Sequence, residues 1–139
     1  MSYQIITDSC CDFTKEMYEK LGLVVAPLMV NFRGRTYPDR NDESLKDMYA
    51  GLRTGEVATT SAANPEQWQE LMEPYLQKGE DLLVLAFSSG LSTTYQSACM
   101  AAEELKSSYP DRTISVVDSL CASLGQGLLA YYACKKRDE

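Results

Sequence analysis

Two stretches of this chain, residues 23–30 (LVVAPLMV) and 81–87 (DLLVLAF), are almost unbroken runs of β-prone apolar residues. A strand with one wet face alternates apolar and polar side chains, whereas a strand apolar throughout has to be covered on both faces. Shorter β-prone runs occur at 3–7 and 112–117. Between the runs lie helical patterns at 12–21, 43–53, from Asn64 to about Gln77, from the turn at 88–92 through Ser107, and at 122–136. Asn64-Pro65-Glu66-Gln67 is a strong helix start, with a side-chain cap, proline at the first helical position and glutamine at the third. Arg33-Gly34-Arg35 marks a hairpin or an exposed loop within 31–37. Strands separated by helices predict an α/β domain over 1–139: a mainly parallel, Rossmann-like sheet in three layers, with helices on both faces. The four runs at 3–7, 23–30, 81–87 and 112–117 are expected to build that sheet.

In open α/β sheets ligands sit beyond the carboxyl ends of the strands. Three polar segments fall there: Thr7-Asp8-Ser9, Ser88 to Thr94, and Asp118-Ser119. A fourth, Thr59-Thr60-Ser61, lies just before a helix. In Ser88-Ser-Gly-Leu-Ser-Thr-Thr-Tyr95 the glycine permits a sharp turn and Ser92 to Thr94 open the next helix. Free N–H groups with hydroxyls beside them suit a carboxylate or a phosphate; Ser92 capping its own helix accounts for the same residues. Asp8 and Asp118 read as caps or as partners that orient loop hydroxyls, in preference to a metal pair. Gly125-Gln-Gly-Leu-Leu-Ala130 has the letters of a dinucleotide fingerprint but starts seven residues past Asp118, inside a helix. Its small residues read as close packing.

Composition removes several classes of function. The net charge is −7, and clusters of basic residues are small: Arg33, Arg35 and Arg40 around one turn and Lys135-Lys136-Arg137 at the end. These read as solvated positions, so nucleic acid is not an expected partner. There are no histidines, which rules out a Ser-His-Asp triad or a histidine metal site within this chain. The five cysteines form no Cys-x-x-Cys pair and read as reduced thiols of a cytoplasmic protein. No apolar run approaches the length of a membrane span, and no secretory signal is visible at the start. No cofactor or metal is expected. No Lys or Arg lies between Arg53 and Lys78, or between Lys78 and Lys106, so the hydroxyl segments have no local cation. That favours a carboxylate over a phosphate.

Taken in order, Thr7-Asp8-Ser9, Ala26-Pro27-Leu28, Tyr37-Pro38-Asp39, Thr60-Ser61 before Pro65, Ser88-Ser-Gly-Leu-Ser92, Thr94-Tyr95-Gln96-Ser97-Ala98, Val117-Asp118-Ser119 and Ser123-Leu-Gly-Gln-Gly127 resemble the DegV family. That family includes the fatty-acid-binding subunits of bacterial fatty acid kinase. The resemblance implies a lipid carrier and not an enzyme. It holds a long-chain fatty acid with the carboxylate hydrogen-bonded by Thr60 and Ser92, and presents it to a separate kinase subunit. It also implies a second domain that is absent from this chain and contributes further carboxylate contacts. The chain departs from the family at Thr93, where glycine is usual. An apolar face left bare without the second domain is expected to favour self-association.

Overall fold

A computed structural model describes residues 3–39 and 42–139. Its core is a four-stranded parallel sheet in the order β2-β1-β6-β7, made of β1 (Tyr3–Asp8), β2 (Val24–Ala26), β6 (Asp81–Ala86) and β7 (Ile114–Asp118). From β1 the chain crosses to β2 on one side, and from β6 to β7 on the other. The switch point therefore falls between β1 and β6, where Ile6 pairs with Val84 and Thr7 with Leu85.

Alternate residues of each strand feed opposite faces, as the two-residue period requires. Ile6, Leu82, Val84 and Ile114 join Trp68, Met72 and Leu76 of α3 (Pro65–Gln77) and Ala98, Ala101, Ala102 and Leu105 of α4 (Thr94–Ser108). Ile5 and Leu85 point the other way, toward Tyr18 of α1 (Lys15–Leu21) and Ala130 and Cys134 of α5 (Leu124–Asp138). Doubly apolar strands thus receive two helical layers, as their composition demands. The start of α3 forms as its sequence dictates: Gln67 N–H donates to Asn64 Oδ1 at 2.8 Å and Asn64 N–H to Gln67 Oε1 at 2.9 Å.

One expectation fails. The run at 23–30 is not a single strand of the parallel sheet. Val24–Ala26 form the edge strand β2, and after Pro27 the chain leaves for a separate antiparallel sheet. That sheet has the order β4-β3-β5, with β3 (Met29–Phe32), β4 (Arg35–Pro38) and β5 (Thr59–Ser61). Pro27 has no N–H to continue a ladder, and the next amide, Leu28 N–H, bonds to Ser9 Oγ at 3.1 Å. The expected hairpin is present, with Arg33 and Gly34 both at positive φ, 50° and 71°, as a two-residue turn with the twist of its strands requires. Helix α2 (Asp42–Arg53) follows β4.

Gly127 explains the glycine-rich stretch in α5. A Cβ there would lie 2.9 Å from the Cys11 carbonyl oxygen and 2.8 Å from Phe13 Cε1. The glycine lets α5 seat on the short 3-10 turn Ser9–Cys11, so the stretch is a packing device within a helix. Among the described residues no helix is long and apolar enough to cross a membrane.

Candidate functional site

The carboxyl ends of β1 and β6 are tied together across the switch point by Asp8. Its Oδ2 accepts from Phe87 N–H at 2.6 Å, and its Oδ1 accepts from Cys10 N–H at 3.0 Å and from Gln126 Nε2 at 3.1 Å. Asp8 is fully buried. Burial pushes its carboxyl above the usual aspartate range, while the donors from Phe87, Gln126 and Cys10 pull the other way. Gln126 is itself fully buried and also donates to Thr7 Oγ1 at 3.1 Å. On the neighbouring loop, Asp118 Oδ1 accepts from Ser89 N–H and Leu120 N–H, each at 3.1 Å. Its carboxyl is held below the ordinary range, chiefly by the Ser89 hydroxyl, with the two backbone amides adding to the effect. Both aspartates therefore act as the sequence suggests, by fixing the loop that leaves β6.

That fixed loop forms one wall of a cavity of about 490 Å3, lined by Leu28, Thr60, Phe87, Ser92, Thr93 and Gln96 among others. Thr60 and Ser92, thirty-two positions apart in sequence, line the same cavity. Thr60 arrives on β5, opposite Val30 of β3. Ser92 arrives at the turn before α4, where Ser92 N–H and Leu91 N–H both donate to the Ser88 carbonyl. The break at Pro27 brings these two residues together, because it sends β3 sideways to carry β5 over the end of the parallel sheet. Thr59–Ser61 as a paired strand was not apparent from a segment of only three hydroxyl residues.

Ser92 is not the N-cap residue of α4; Thr93 is, at φ −79°, and its side chain makes no capping hydrogen bond. A negative φ means that position 93 has no conformational need for glycine. Thr94 N–H donates to Ser92 Oγ at 3.2 Å, and the Ser92 and Thr94 hydroxyls are 2.8 Å apart. Ser92 thus supports the first turn and faces the cavity as well. First-turn amides lack intrahelical acceptors, and Thr93 puts no side chain on them. Among the described residues no lysine or arginine lines the cavity. The cysteines that follow Asp8 in the 3-10 turn are held toward the thiol form: burial pushes the Cys11 thiol up to about 12 and Cys10 higher still.

This arrangement defines a parallel α/β domain with a hydroxyl-lined cleft at its switch point. The sequence pattern of the family described as "Uncharacterised protein, DegV family" matches residues 2–139, and the chain belongs to the DegV family. A DegV domain-containing protein of Clostridium perfringens is 41% identical over 139 residues, covering 99% of this chain and 48% of the relative. Among solved structures, a stearic-acid-binding protein of Eubacterium ventriosum superimposes with a TM-score of 0.89 at 28% identity, covering 98% of this chain and 47% of that one. A fatty-acid-binding DegV family protein of Thermus thermophilus gives a TM-score of 0.87 at 33% identity, covering 99% and 48%. The chain spans about half the length of the relatives it matches.

Proposed function

We propose that this chain is the carboxylate-holding half of a long-chain fatty-acid carrier. Thr60 and Ser92 hydrogen-bond the fatty acid's carboxylate, and a separate kinase subunit acts on the bound acid. The observation that carries the reading is the meeting of Thr60 and Ser92 in one cavity beside the first turn of α4, whose N-cap residue Thr93 makes no side-chain capping bond. Hydroxyls and helix N–H groups bind an anion without a fixed positive charge and leave its oxygens open to a partner. A phosphoester would call for Lys or Arg in the lining, and none is there among the described residues. The fatty-acid-binding relatives of the same fold support the ligand class.

In a protein of the relatives' full length, Ser92→Ala is expected to weaken palmitate binding by about 1.5–3 kcal/mol, the cost of a lost hydrogen bond to a charged group. Folding should lose only about 1 kcal/mol, the worth of a helix-capping contact. Calorimetric affinity and urea melts on the same variant separate the two, and equal losses would reduce Ser92 to a helix-start residue.

Leu124, Leu128 and Tyr132 repeat every four residues along α5 and are exposed, as is Leu120 just before the helix. Such a stripe is normally covered. We propose that further chain covers it in a protein of the relatives' length, and that the 139-residue chain alone pairs through it with a second copy and holds palmitate weakly. Sedimentation velocity should show a concentration-dependent dimer that Leu124→Glu with Leu128→Glu disperses. A monomer that binds palmitate tightly and saturably would exclude this account.

A further inference from the structure

The buried residues of α4 are Thr94, Ala98, Ala101, Ala102 and Leu105, and the first of them is the polar one. Thr94 is fully buried. Ser92, two residues earlier, is half-buried and lines the cleft with Thr60. A valine would fill the same core position without a polar atom to satisfy, so the hydroxyl at 94 needs a reason of its own.

Hydrogen-bond accounting supplies one. Among the described residues the Thr94 hydroxyl has a single partner, Ser92 Oγ at 2.8 Å. If Ser92 donated across that contact, the Thr94 proton would be buried with no acceptor, an arrangement folded proteins avoid. Thr94 therefore donates and Ser92 accepts. Thr94 N–H donates to the same Ser92 Oγ at 3.2 Å. A hydroxyl oxygen has two lone pairs, and Thr94 fills both. Ser92 is left with its own proton, which has no other acceptor among the described residues and is free for the cleft that Ser92 lines.

We propose that Thr94 is a positioning residue for the ligand. From the core it fixes Ser92 as a donor only, so the cleft selects an ionised carboxylate over a head group that would itself have to donate. This rests on the carboxylate reading of the cleft. Thr94 acts only through Ser92. Its bond polarises the Ser92 O–H, and a hydroxyl already aimed needs no reordering when the anion arrives.

Calorimetric palmitate affinity in a protein of the relatives' full length tests this through Thr94→Val, Thr94→Ser, Ser92→Ala and the double variant Ser92→Ala with Thr94→Val. Thr94→Val keeps the shape and removes the donor. It should weaken binding about tenfold, within the range for contacting residues of one hydrogen-bond network. Thr94→Ser restores the donor and should bind as the parent does. In the Ser92→Ala background Thr94→Val should cost nothing further. A loss of equal size with and without the Ser92 hydroxyl, or a Thr94→Ser variant as weak as Thr94→Val, would make Thr94 a packing residue and overturn the proposal. If the valine variant does not fold, Thr94→Cys, a weak donor in the same place, replaces it in every comparison. Unchanged affinity in Ser92→Ala would overturn the carboxylate reading itself. A loss there with none in Thr94→Val would overturn the role of Thr94 alone.

Discussion

Asp8→Ala is expected to lower the unfolding free energy by about 3 kcal/mol or more, read as a fall in the urea midpoint at unchanged slope. The carboxylate is fully buried and accepts three hydrogen bonds, from Phe87 N–H, Cys10 N–H and Gln126 Nε2. Alanine removes a charge-assisted acceptor from all three, and hydrogen bonds to charged groups are worth about 1.5–3 kcal/mol each. Two of those donors belong to the strand ends that frame the switch point, so the loop from Phe87 to Ser92 should loosen with the fold. The pH dependence has a definite sign. Burial raises the folded-state pKa of Asp8 above its unfolded value, so between the two values the folded state holds more protons. Its contribution to stability therefore falls as pH rises through that window. Asp8→Asn should abolish this component. Urea melts of the two proteins across acidic pH check it, and parallel profiles would show that Asp8 titrates alike folded and unfolded.

Where local chemistry decides the structure, the sequence was readable. The apolar run at 81–87 became a strand covered on both sides, and Asn64-Pro65-Glu66-Gln67 became a capped helix start. The hydroxyl-rich segments 59–61 and 88–94 stood out by their place before a helix and at a strand end, whereas the pairing of Thr60 with Ser92 was implied by the family resemblance alone. Where the outcome depends on a remote partner, little showed. Gln126 reaches Asp8 across 118 positions, and nothing in a helix flanked by glycines says that its one amide turns inward. Arg33 looked like a solvated turn residue until α2 and the segment after it supplied Asp47 and Glu56. Pro27 was visible, but the apolar letters on either side hid its effect. The apolar count of a run measures burial, and the register of its hydrogen bonds decides which sheet it joins.

The largest single loss from the core should come from Trp68→Ala, about 3–5 kcal/mol. Trp68 is the sole tryptophan, fully buried in the cluster that α3 and α4 form over Ile6 and Val84 of the sheet. Truncation to alanine leaves a void that close-packed helices can fill only in part. Trp68→Phe is expected to cost less than half as much. The indole N–H is buried and makes no hydrogen bond among the described residues, so phenylalanine forfeits ring volume and no polar contact. Phenylalanine also relieves the burial of a polar group without a partner, which offsets part of the lost packing. Both variants remove the fluorescent reporter, so far-ultraviolet circular dichroism has to follow the urea melts. Equal losses in the two variants would mean that the indole N–H is satisfied in solution. The consequence reaches the candidate site through chain connectivity. Residue 68 lies in the first turns of α3, whose cap at Asn64 stands three residues after Ser61, the end of β5. Trp68→Ala should therefore weaken palmitate binding in a protein of the relatives' length under conditions where it remains folded, because Thr60 loses its anchor, whereas Trp68→Phe should bind as the parent does.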